Sequence, residues 1–322
     1  MSEPKHFPYA HLLHFLSPQN KQMVANYLTL LQARQYAPST LGAIAGTFKS
    51  FCLLLPQPHR DRIIADFART TPEDIDAYMQ AAADQGLAPA TISNALVKLR
   101  CFFTFLLEDG HLHRQPVRRH RHQVLVPQTL PRPMAQQDVV VFFQVIDSLR
   151  DRAIFLLMLR CGLRVSEVCR LPWSAVNWEQ SSLRIDNGKG QVDRVVYYST
   201  DVEQTLSQWR RLQPEGARYL FSSRITQKGG QPIARRTMAH LMTKYLHQAG
   251  MDGRYSCHSL RHTFASELLN AGASLEVVKE LMGHKKLDMT LRYAKLYEAT
   301  KRQQYDQAMA HLELRQSLLG GM

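Results

Sequence analysis

Apolar residues in the first hundred positions recur every three or four residues, which is the spacing of helices that bury one face. Two of these stretches begin with similar segments, Ala37-Pro38-Ser39-Thr40 and Ala88-Pro89-Ala90-Thr91, in which proline suits the first helical turn. The apolar faces of the two predicted helices contain Leu41, Ile44, Phe48, Phe51 and Leu55 in the first, and Ile92, Leu96, Leu99, Phe102, Phe103 and Leu106 in the second.

Two further helices are predicted in this part of the chain. One covers Lys21 to Leu31 by its apolar spacing. The other starts at Thr71-Pro72-Glu73-Asp74, which combines a capping hydroxyl, a proline at the first helical position and acids at the positive end of the helix dipole. Gly86 marks its expected end. The N-terminal part is therefore predicted to be a small helical domain.

The second half has helical periodicity around one β-rich segment. Leu183 to Tyr198 has two β-prone arms around Asn-Gly and Gly signals, which predicts a hairpin with Lys189 at its turn. Ser274 is suited to cap a helix and Gly283 to end it. The predicted fold class is mainly α with a small β-sheet or hairpin. The helices are expected at Gln136–Leu149, Arg152–Cys161, Val165–Leu171, Asp201–Leu212, Ala234–Ala249, Ser259–Ala271, Ser274–Met282 and Asp288–Leu296.

Between about Gly110 and Met134 the composition changes to basic residues and prolines, without an acid in its first part. Such a stretch is predicted to be an exposed, extended connector. Arg118, Arg119 and Arg121 are its candidate contacts to the phosphates of a polyanion, although a merely solvated linker has the same composition. The predicted organisation is a helical domain at 1–112, a basic linker at 113–133, a second domain at 134–300 and a C-terminal tail helix at 301–322.

The formal net charge of +13 and the pI near 9.7 favour a polyanionic partner, with a solvated basic surface as the alternative. Five widely spaced cysteines without a C-x-x-C pair suggest neither a disulfide framework nor a zinc site. They are expected to be mostly buried free thiols in a cytoplasmic protein. Neither a secretion signal nor a membrane span is expected from the sequence.

Three segments carry the candidate chemistry: Gly162-Leu-Arg164-Val-Ser-Glu167, His258-Ser-Leu-Arg261-His262-Thr-Phe-Ala265, and Gly283-His284 followed by Thr290-Leu-Arg-Tyr293-Ala294. A histidine and an arginine three positions apart share one face of a helix. Arginine grips two phosphate oxygens at once, and a tyrosine oxygen is a competent covalent nucleophile when neighbouring groups handle its proton. The set therefore indicates phosphoryl transfer on DNA.

In this order and at these separations, the segments resemble the tyrosine recombinase family, which includes phage integrases and Xer-type recombinases. The family pattern is G-L-R-x-S-E, a lysine in a β-hairpin, H-x-L-R-H-T-F-A, a G-H pair and then the nucleophilic tyrosine, and every position is filled here. The match is strong from about Ala135 to Ala299 and extends to the N-terminal half only in general layout. The resemblance implies a two-domain, C-shaped clamp on duplex DNA, with a DNA-binding domain at 1–112, a catalytic domain at 134–300 and a tail helix at 301–322 that contacts another protomer.

The resemblance also implies the role of each residue. Tyr293 would form a 3′-phosphotyrosyl link, and Tyr297, one turn away, is a rival that the local spacing disfavours. Arg164 and Arg261 would hold the scissile phosphate. Lys189 would be the general acid for the 5′-oxygen, His258 would take or return the tyrosine proton, and His284 would donate a hydrogen bond to a phosphate oxygen. Glu167 would orient Arg164 or a histidine, and His262 has either a supporting or a purely structural role.

No acidic set with metal-ligand spacing and no G-x-x-x-x-G-K-[ST] loop accompanies these residues, so neither magnesium nor ATP nor another cofactor is expected. The expected partners are double-stranded DNA with inverted core-site repeats and further copies of the chain, forming a homo-tetramer on paired sites, with no membrane. An apolar stripe in the tail formed by Tyr305, Met309, Leu312 and Leu319 is expected to dock on a neighbouring protomer or to fold back on its own domain.

Three alternatives share parts of this pattern. A type IB topoisomerase uses a similar pocket, but the short chain, the predicted helical N-terminal domain and the tail after Tyr293 argue against this class. A DNA-binding regulator with a relic site is disfavoured by the complete polar set. An integron integrase needs an extra segment for which Phe221 to His258 looks too compact. The sequence leaves the biological task open between chromosome-dimer resolution, integration of a mobile element and transposon resolution, and the lack of an arm-binding domain argues against a lambda-type integrase.

Overall fold

A computed structural model describes residues 9–127, 131–186, 193–224 and 230–284, together with positions 305, 306 and 309. The chain divides into two compact units, 1–128 and 129–322. Each unit has its own apolar core.

Unit 1 is helical, and four of the five α-helices in its described residues have a proline in the first turn. Thr71 accepts a hydrogen bond from the Asp74 amide, and the Asp74 carboxylate accepts one from the Thr71 amide at 2.7 Å, which closes a capping box. The predicted helix starts at Pro38, Pro72 and Pro89 are confirmed, whereas the helix predicted from Lys21 to Leu31 begins at Pro18 and ends at Ala33. The helices are α1 Pro18–Ala33, α2 Pro38–Leu54, α3 His59–Ala65, α4 Pro72–Asp84 and α5 Pro89–Glu108.

The core of unit 1 is built around α5, whose apolar face is buried as the sequence predicted. Phe102 lies at its centre, with ring centroids 4.6 Å from Phe48, 5.4 Å from Phe67 and 5.4 Å from Tyr27. By length and composition, α5 is the one helix in the described part of the chain that is apolar enough to cross a membrane. Its apolar residues form the centre of this core, which accounts for that composition.

The prediction of an extended linker from residue 113 onward is wrong for its first part. Val117 and His122 are buried against unit 1, and the turn at 118–122 is closed by a hydrogen bond from the Arg118 amide to His122 Nδ1 at 2.9 Å. Arg121 pairs with Asp76 and with Glu73 at the start of α4. Acidic side chains of α4 therefore hold this basic stretch against unit 1. Because α4 lies far away in the chain, the local composition of the stretch does not indicate these partners.

Unit 2 is also mainly helical and contains two small antiparallel sheets. Its first sheet has the order β1-β2-β3, and β2 pairs with β3 as the predicted hairpin. The helices are α6 Gln136–Gln144, α7 Leu149–Arg160, α8 Val165–Arg170, α9 Thr200–Arg211, α10 Arg235–Gln248, α11 Cys257–Asn270 and α12 Leu275–Met282. The strands are β1 Val176–Asn177, β2 Ser182–Ile185, β3 Arg194–Tyr197, β4 Ser222–Arg224 and β5 Gln231–Pro232.

Two details of unit 2 differ from the prediction. The helix expected from Gln136 to Leu149 ends at Gln144, because Ser148 caps the next helix by accepting a hydrogen bond from the Asp151 amide. The second sheet, β4 with β5, was not predicted, since strands of two or three residues are too short to have a recognisable alternation. The helix predicted at Asp288–Leu296 lies outside the described residues.

The centre of unit 2 is α7, in which every residue from Ala153 to Leu159 is buried. It packs against α9 and α11, so the helix that carries His258 and Arg261 rests on a rigid apolar support. All five cysteines are free, and four of them are buried as expected. Cys101 is exposed, which contradicts the expectation drawn from its apolar sequence neighbours.

Candidate active site

Four segments of unit 2 meet at the candidate site: the turn between α7 and α8 with the first turn of α8, the first residue of β3, the first two turns of α11, and the end of α12. They bring Arg164, Glu167, Arg261 and His284 into one set of mutual contacts. Three of the predicted site segments therefore converge in space. The assembly depends on two glycines in the left-handed region, Gly162 and Gly283.

Arg261 is the most deeply placed of these residues, with 2% of its surface exposed. Its guanidinium donates hydrogen bonds to the carbonyl oxygens of Gly162 and Met282, and Nη2 lies 3.3 Å from Nε2 of His284. Two backbone carbonyls thus fix the plane of the guanidinium. A cation that is oriented before any ligand arrives is the arrangement that stabilises developing negative charge most effectively.

Gly162 is needed where it stands for two reasons. Its φ of +61° is unfavourable for residues with a side chain, and a Cβ there would lie 2.3 Å from the ring of Phe264. Phe264 belongs to α11, so the missing side chain allows the turn before α8 to approach the helix of Arg261 closely. The carbonyl of this glycine then receives the Arg261 guanidinium.

Arg164 and Glu167 form a second oriented pair at the start of α8. Arg164 Nη1 donates to Glu167 Oε1 at 2.8 Å, and the Arg164 amide donates to Oε2 at 2.7 Å. Nη2 of Arg164 donates to the carbonyl of Gly283 at 2.9 Å. The Arg164 side chain is 24% exposed, so it retains a solvent-facing edge while its two side-chain hydrogen bonds fix its direction.

Arg194 was not among the predicted site residues, yet it occupies the centre of the set. It is the first residue of β3, and it contacts Glu167 through both Nη atoms at 3.0 and 2.8 Å. The hairpin alternation gives a signal that could have found it, since Arg194 shares the inward face of β3 with Val196. A charged residue at an inward position requires a partner, and Glu167 is that partner.

The three histidines of the site are held in a less protonated state than usual. Burial, aided by the charges of Arg261 and Arg164, lowers the pKa of His258. Burial and the neighbouring His258 and Arg261 lower the pKa of His262 to about 4. The rings of His258 and His262 meet edge to face, with centroids 5.2 Å apart. A neutral His258 imidazole is able to accept a proton, which is what a general base requires.

His284 is buried, and burial together with Arg261, Arg164 and Arg194 lowers its pKa to about 4. Because the ordinary value is 6.5, the unfolded chain binds more protons than the folded chain between about pH 6.5 and pH 4. The contribution of this group to stability is therefore fully present above about pH 6.5 and is lost as the pH falls towards 4. His262 contributes with the same sign.

Lys189 and Tyr293 lie outside the described residues, so their predicted places in the site stay predictions. The candidate DNA contacts Arg118 and Arg119 are exposed in unit 1, and Arg121 there is paired with Glu73 and Asp76. The described ranges contain no group of three histidine, cysteine or acidic side chains that could hold a metal ion.

Two family profiles match the chain. Residues 132–300 match the phage integrase family, and residues 24–110 match the phage integrase N-terminal SAM-like domain. The first match covers the whole candidate site and the predicted nucleophile. The second covers the helical core of unit 1.

Individual proteins agree with these matches. The chain is 32% identical over 282 residues to the tyrosine recombinase XerD of Pseudomonas putida, which covers 84% of this chain and 88% of that protein. It is 28% identical over 255 residues to the tyrosine recombinase XerA of Pyrococcus furiosus, covering 78% and 84%. A structure of the Tn1549 transposon integrase with a circular intermediate DNA superposes with a TM-score of 0.68 at 19% identity, covering 84% and 94%. At that identity, the superposition supports the fold alone.

Proposed function

Because this chain belongs to the phage integrase family and is a tyrosine site-specific recombinase, we propose that Tyr293 is its nucleophile and that Arg164, Arg261 and His284 hold the scissile phosphate. The observation that supports the phosphate site best is the contact between Arg261 and His284 at 3.3 Å, beside an Arg164 that is anchored on Gly283. Two fixed cations and one imidazole donor suit the non-bridging oxygens of a phosphodiester.

The proposed reaction conserves the number of phosphoester bonds. The Tyr293 oxygen attacks the phosphorus, a 3′-phosphotyrosyl bond forms, and the bond from phosphorus to the 5′-oxygen breaks. His258 takes the tyrosine proton, and Lys189 supplies a proton to the leaving 5′-oxygen. A 5′-hydroxyl from another strand then attacks the phosphotyrosine and releases the enzyme. Because the energy of the broken bond is kept in the covalent intermediate, neither ATP nor a metal ion is required by this scheme.

The direct test is a covalent adduct on a duplex that carries the protein's own site with a nick beside the cleavage position. The released strand diffuses away, so the phosphotyrosine is trapped and runs as a slow band on a denaturing gel. The adduct is expected to form with EDTA and without ATP. A protein that binds this duplex but forms no adduct would instead be the DNA-binding regulator, and a strict need for a divalent cation would contradict the proposed reaction.

Lys189 is proposed to protonate the 5′-oxygen, and this role has its own chemical test. Replacement by alanine is expected to lower cleavage of a normal phosphodiester by roughly 10²- to 10⁴-fold, the usual range for a lost general acid. A 5′-bridging phosphorothiolate should restore most of that rate, because a thiolate leaves without a proton. The measurement is single-turnover cleavage of both substrates. If the sulfur substrate gives no recovery, another residue is the general acid.

The basic turn at 118–122 is proposed to contact DNA phosphates through its exposed arginines. Replacing Arg118 and Arg119 together with glutamine is expected to reduce the slope of log K against log salt concentration by about two, since each phosphate contact contributes about 0.9. Arg121 provides the matched comparison: its pairs with Glu73 and Asp76 already neutralise it, so Arg121→Gln should change the slope less. Equal slopes for the double variant and the unmodified protein would argue against this contact surface.

We also propose that four protomers act on two paired sites, each with inverted core repeats, because cleavage and exchange of two duplexes need four active sites. Tyr305 is 59% exposed and is therefore available for a contact with a neighbouring protomer. Light scattering of complexes on one site and on paired sites would measure the stoichiometry. The proposed setting is the cytoplasm, and the proposed task is integration, excision, transposition or resolution of a mobile element or replicon.

A further inference from the structure

Arg194 connects three parts of unit 2 that lie far apart in the chain. Its two Nη atoms contact the carboxylate of Glu167 at the start of α8, and its Nε donates to the carbonyl of Leu281 in α12 at 2.7 Å. Arg194 itself begins β3, the second strand of the hairpin. Its side chain is 4% exposed, so these contacts are almost completely shielded from water.

The carboxylate of Glu167 is shared between two arginines. Oε1 accepts from Arg194 and from Arg164, and Oε2 accepts from Arg194 and from the amide of Arg164. Although burial opposes ionisation, the hydrogen bonds and charge of Arg194, followed by the hydrogen bonds of Arg164, hold the pKa of Glu167 at about 2. The carboxylate is therefore ionised under all working conditions and is a fixed anchor for both guanidinium groups.

Gly283 leaves the space that Arg194 occupies. A Cβ on this glycine would lie 3.1 Å from Cδ and 3.1 Å from Nη1 of Arg194, and its φ of +60° also disfavours a side chain. The carbonyl of the same glycine accepts the hydrogen bond from Arg164, and the next residue is His284. Gly283 therefore leaves space for the Arg194 side chain, accepts a hydrogen bond from Arg164 and directly precedes His284 in the chain.

We propose that Arg194 is a positioning residue for the cleavage step: through Glu167 it fixes the direction of Arg164, and through Leu281 it fixes the segment that presents His284. This inference rests on the proposed function of Arg164 and His284. Arg194 uses three nitrogens of a planar group in two directions, which the single ammonium of a lysine cannot reproduce. Without the Arg194 side chain, the only remaining guanidinium partner of the Glu167 carboxylate would be Arg164. The carboxylate would then be free to shift, and the Arg164 guanidinium bound to it would shift away from the phosphate.

The test is single-turnover cleavage by Arg194→Lys at saturating DNA, with DNA affinity and thermal unfolding measured in parallel on the full chain. Because small displacements of catalytic groups can cost about 10²-fold in rate, we expect a loss of that order with little change in DNA affinity. The matched control is Arg184→Lys on the neighbouring strand β2, where an arginine that is 70% exposed pairs with Asp186. This control should cleave at the normal rate.

Slow cleavage by an Arg194 variant has two possible causes, a misplaced Arg164 or a displaced hairpin, and the 5′-bridging phosphorothiolate substrate distinguishes them. A variant that only loosens the hairpin impairs proton donation by Lys189 to the leaving group. The sulfur leaving group needs no proton, so cleavage of that substrate should be restored. A variant that misplaces Arg164 stays slow on both substrates, which is the expected result for Arg194→Lys. Rescue by the sulfur substrate, or normal cleavage by a folded Arg194→Lys variant, would overturn the inference.

A second variant covers the case in which Arg194→Lys does not fold. The double replacement Arg194→Met and Glu167→Met removes both buried charges, a change that proteins often tolerate without loss of stability. It is expected to fold and bind DNA but to cleave slowly on both substrates, and cleavage at the normal rate would overturn the inference. Failure of the unmodified protein to form any adduct would overturn the proposed function and this inference with it, whereas a normal adduct with unaffected Arg194 variants overturns this inference alone.

Discussion

Replacing Tyr293 with phenylalanine is expected to abolish the covalent protein–DNA adduct while DNA affinity stays unchanged. The substitution removes one oxygen and preserves the ring, so packing of the side chain is conserved, and the reaction loses its nucleophile entirely. Binding interactions cannot replace the lost oxygen, because the phosphotyrosyl bond is the intermediate itself. The measurement is the fraction of nicked duplex that becomes protein-linked on a denaturing gel, with a mobility-shift titration for affinity.

Tyr297→Phe is the matched control, since it removes the same oxygen from a tyrosine four residues further along the chain. This variant should form the adduct at the normal rate. The opposite pattern, with an adduct in Tyr293→Phe and none in Tyr297→Phe, would transfer the nucleophile to Tyr297. An adduct in both single variants would contradict a nucleophilic tyrosine at either position.

Local signals were sufficient to predict much of the fold. The Thr71-Pro72 start, the prolines at 38 and 89, and the pair of Ser274 and Gly283 each act within one helical turn, and the structure has helix ends at these places. The short helix α3 was missed because seven residues contain too few periods for a reliable pattern. The fold of the basic stretch was also missed, since Arg121 finds its partner Asp76 forty-five residues away.

At the site, too, local motifs were predictable, whereas contacts between residues far apart in the chain were not. Arg164, Arg261 and His284 were predicted from motifs, as was Glu167, which holds Arg164. The other groups that hold the two guanidinium groups are the backbone carbonyls of Gly162, Met282 and Gly283, which no side-chain pattern encodes. Arg194 interacts with Leu281 across 87 positions and with Glu167 across 27. Such partners become visible only when the strand, the helix end and the turn are assembled.

Arg164→Ala and Arg261→Ala are expected to lower cleavage far more than binding. A preorganised donor removed from a transition-state site typically costs roughly 10²- to 10³-fold in rate, because its interaction strengthens as negative charge develops on the phosphate oxygens. Binding changes little, since many other phosphate contacts share the electrostatic attraction. Single-turnover cleavage and equilibrium affinity on the same duplex measure the two effects separately.

The two arginines should differ in their effect on stability. Arg261 is buried, and its removal leaves the carbonyls of Gly162 and Met282 without this donor, at a cost of about 1–3 kcal/mol for each unsatisfied group. Arg164 is partly exposed, so Arg164→Ala should unfold at a temperature nearer that of the unmodified protein.

Arg160→Ala is the control for loss of an arginine outside the site, because Arg160 is 43% exposed and forms surface pairs with Asp201 and Glu267. Such pairs contribute about 0–1 kcal/mol, so this variant should keep both its stability and its cleavage rate. If Arg164→Ala cleaves as fast as Arg160→Ala, then Arg164 does not stabilise the transition state. If Arg261→Ala lowers cleavage only in proportion to the fraction of unfolded protein, then Arg261 has a structural role, and the phosphate is held by other groups.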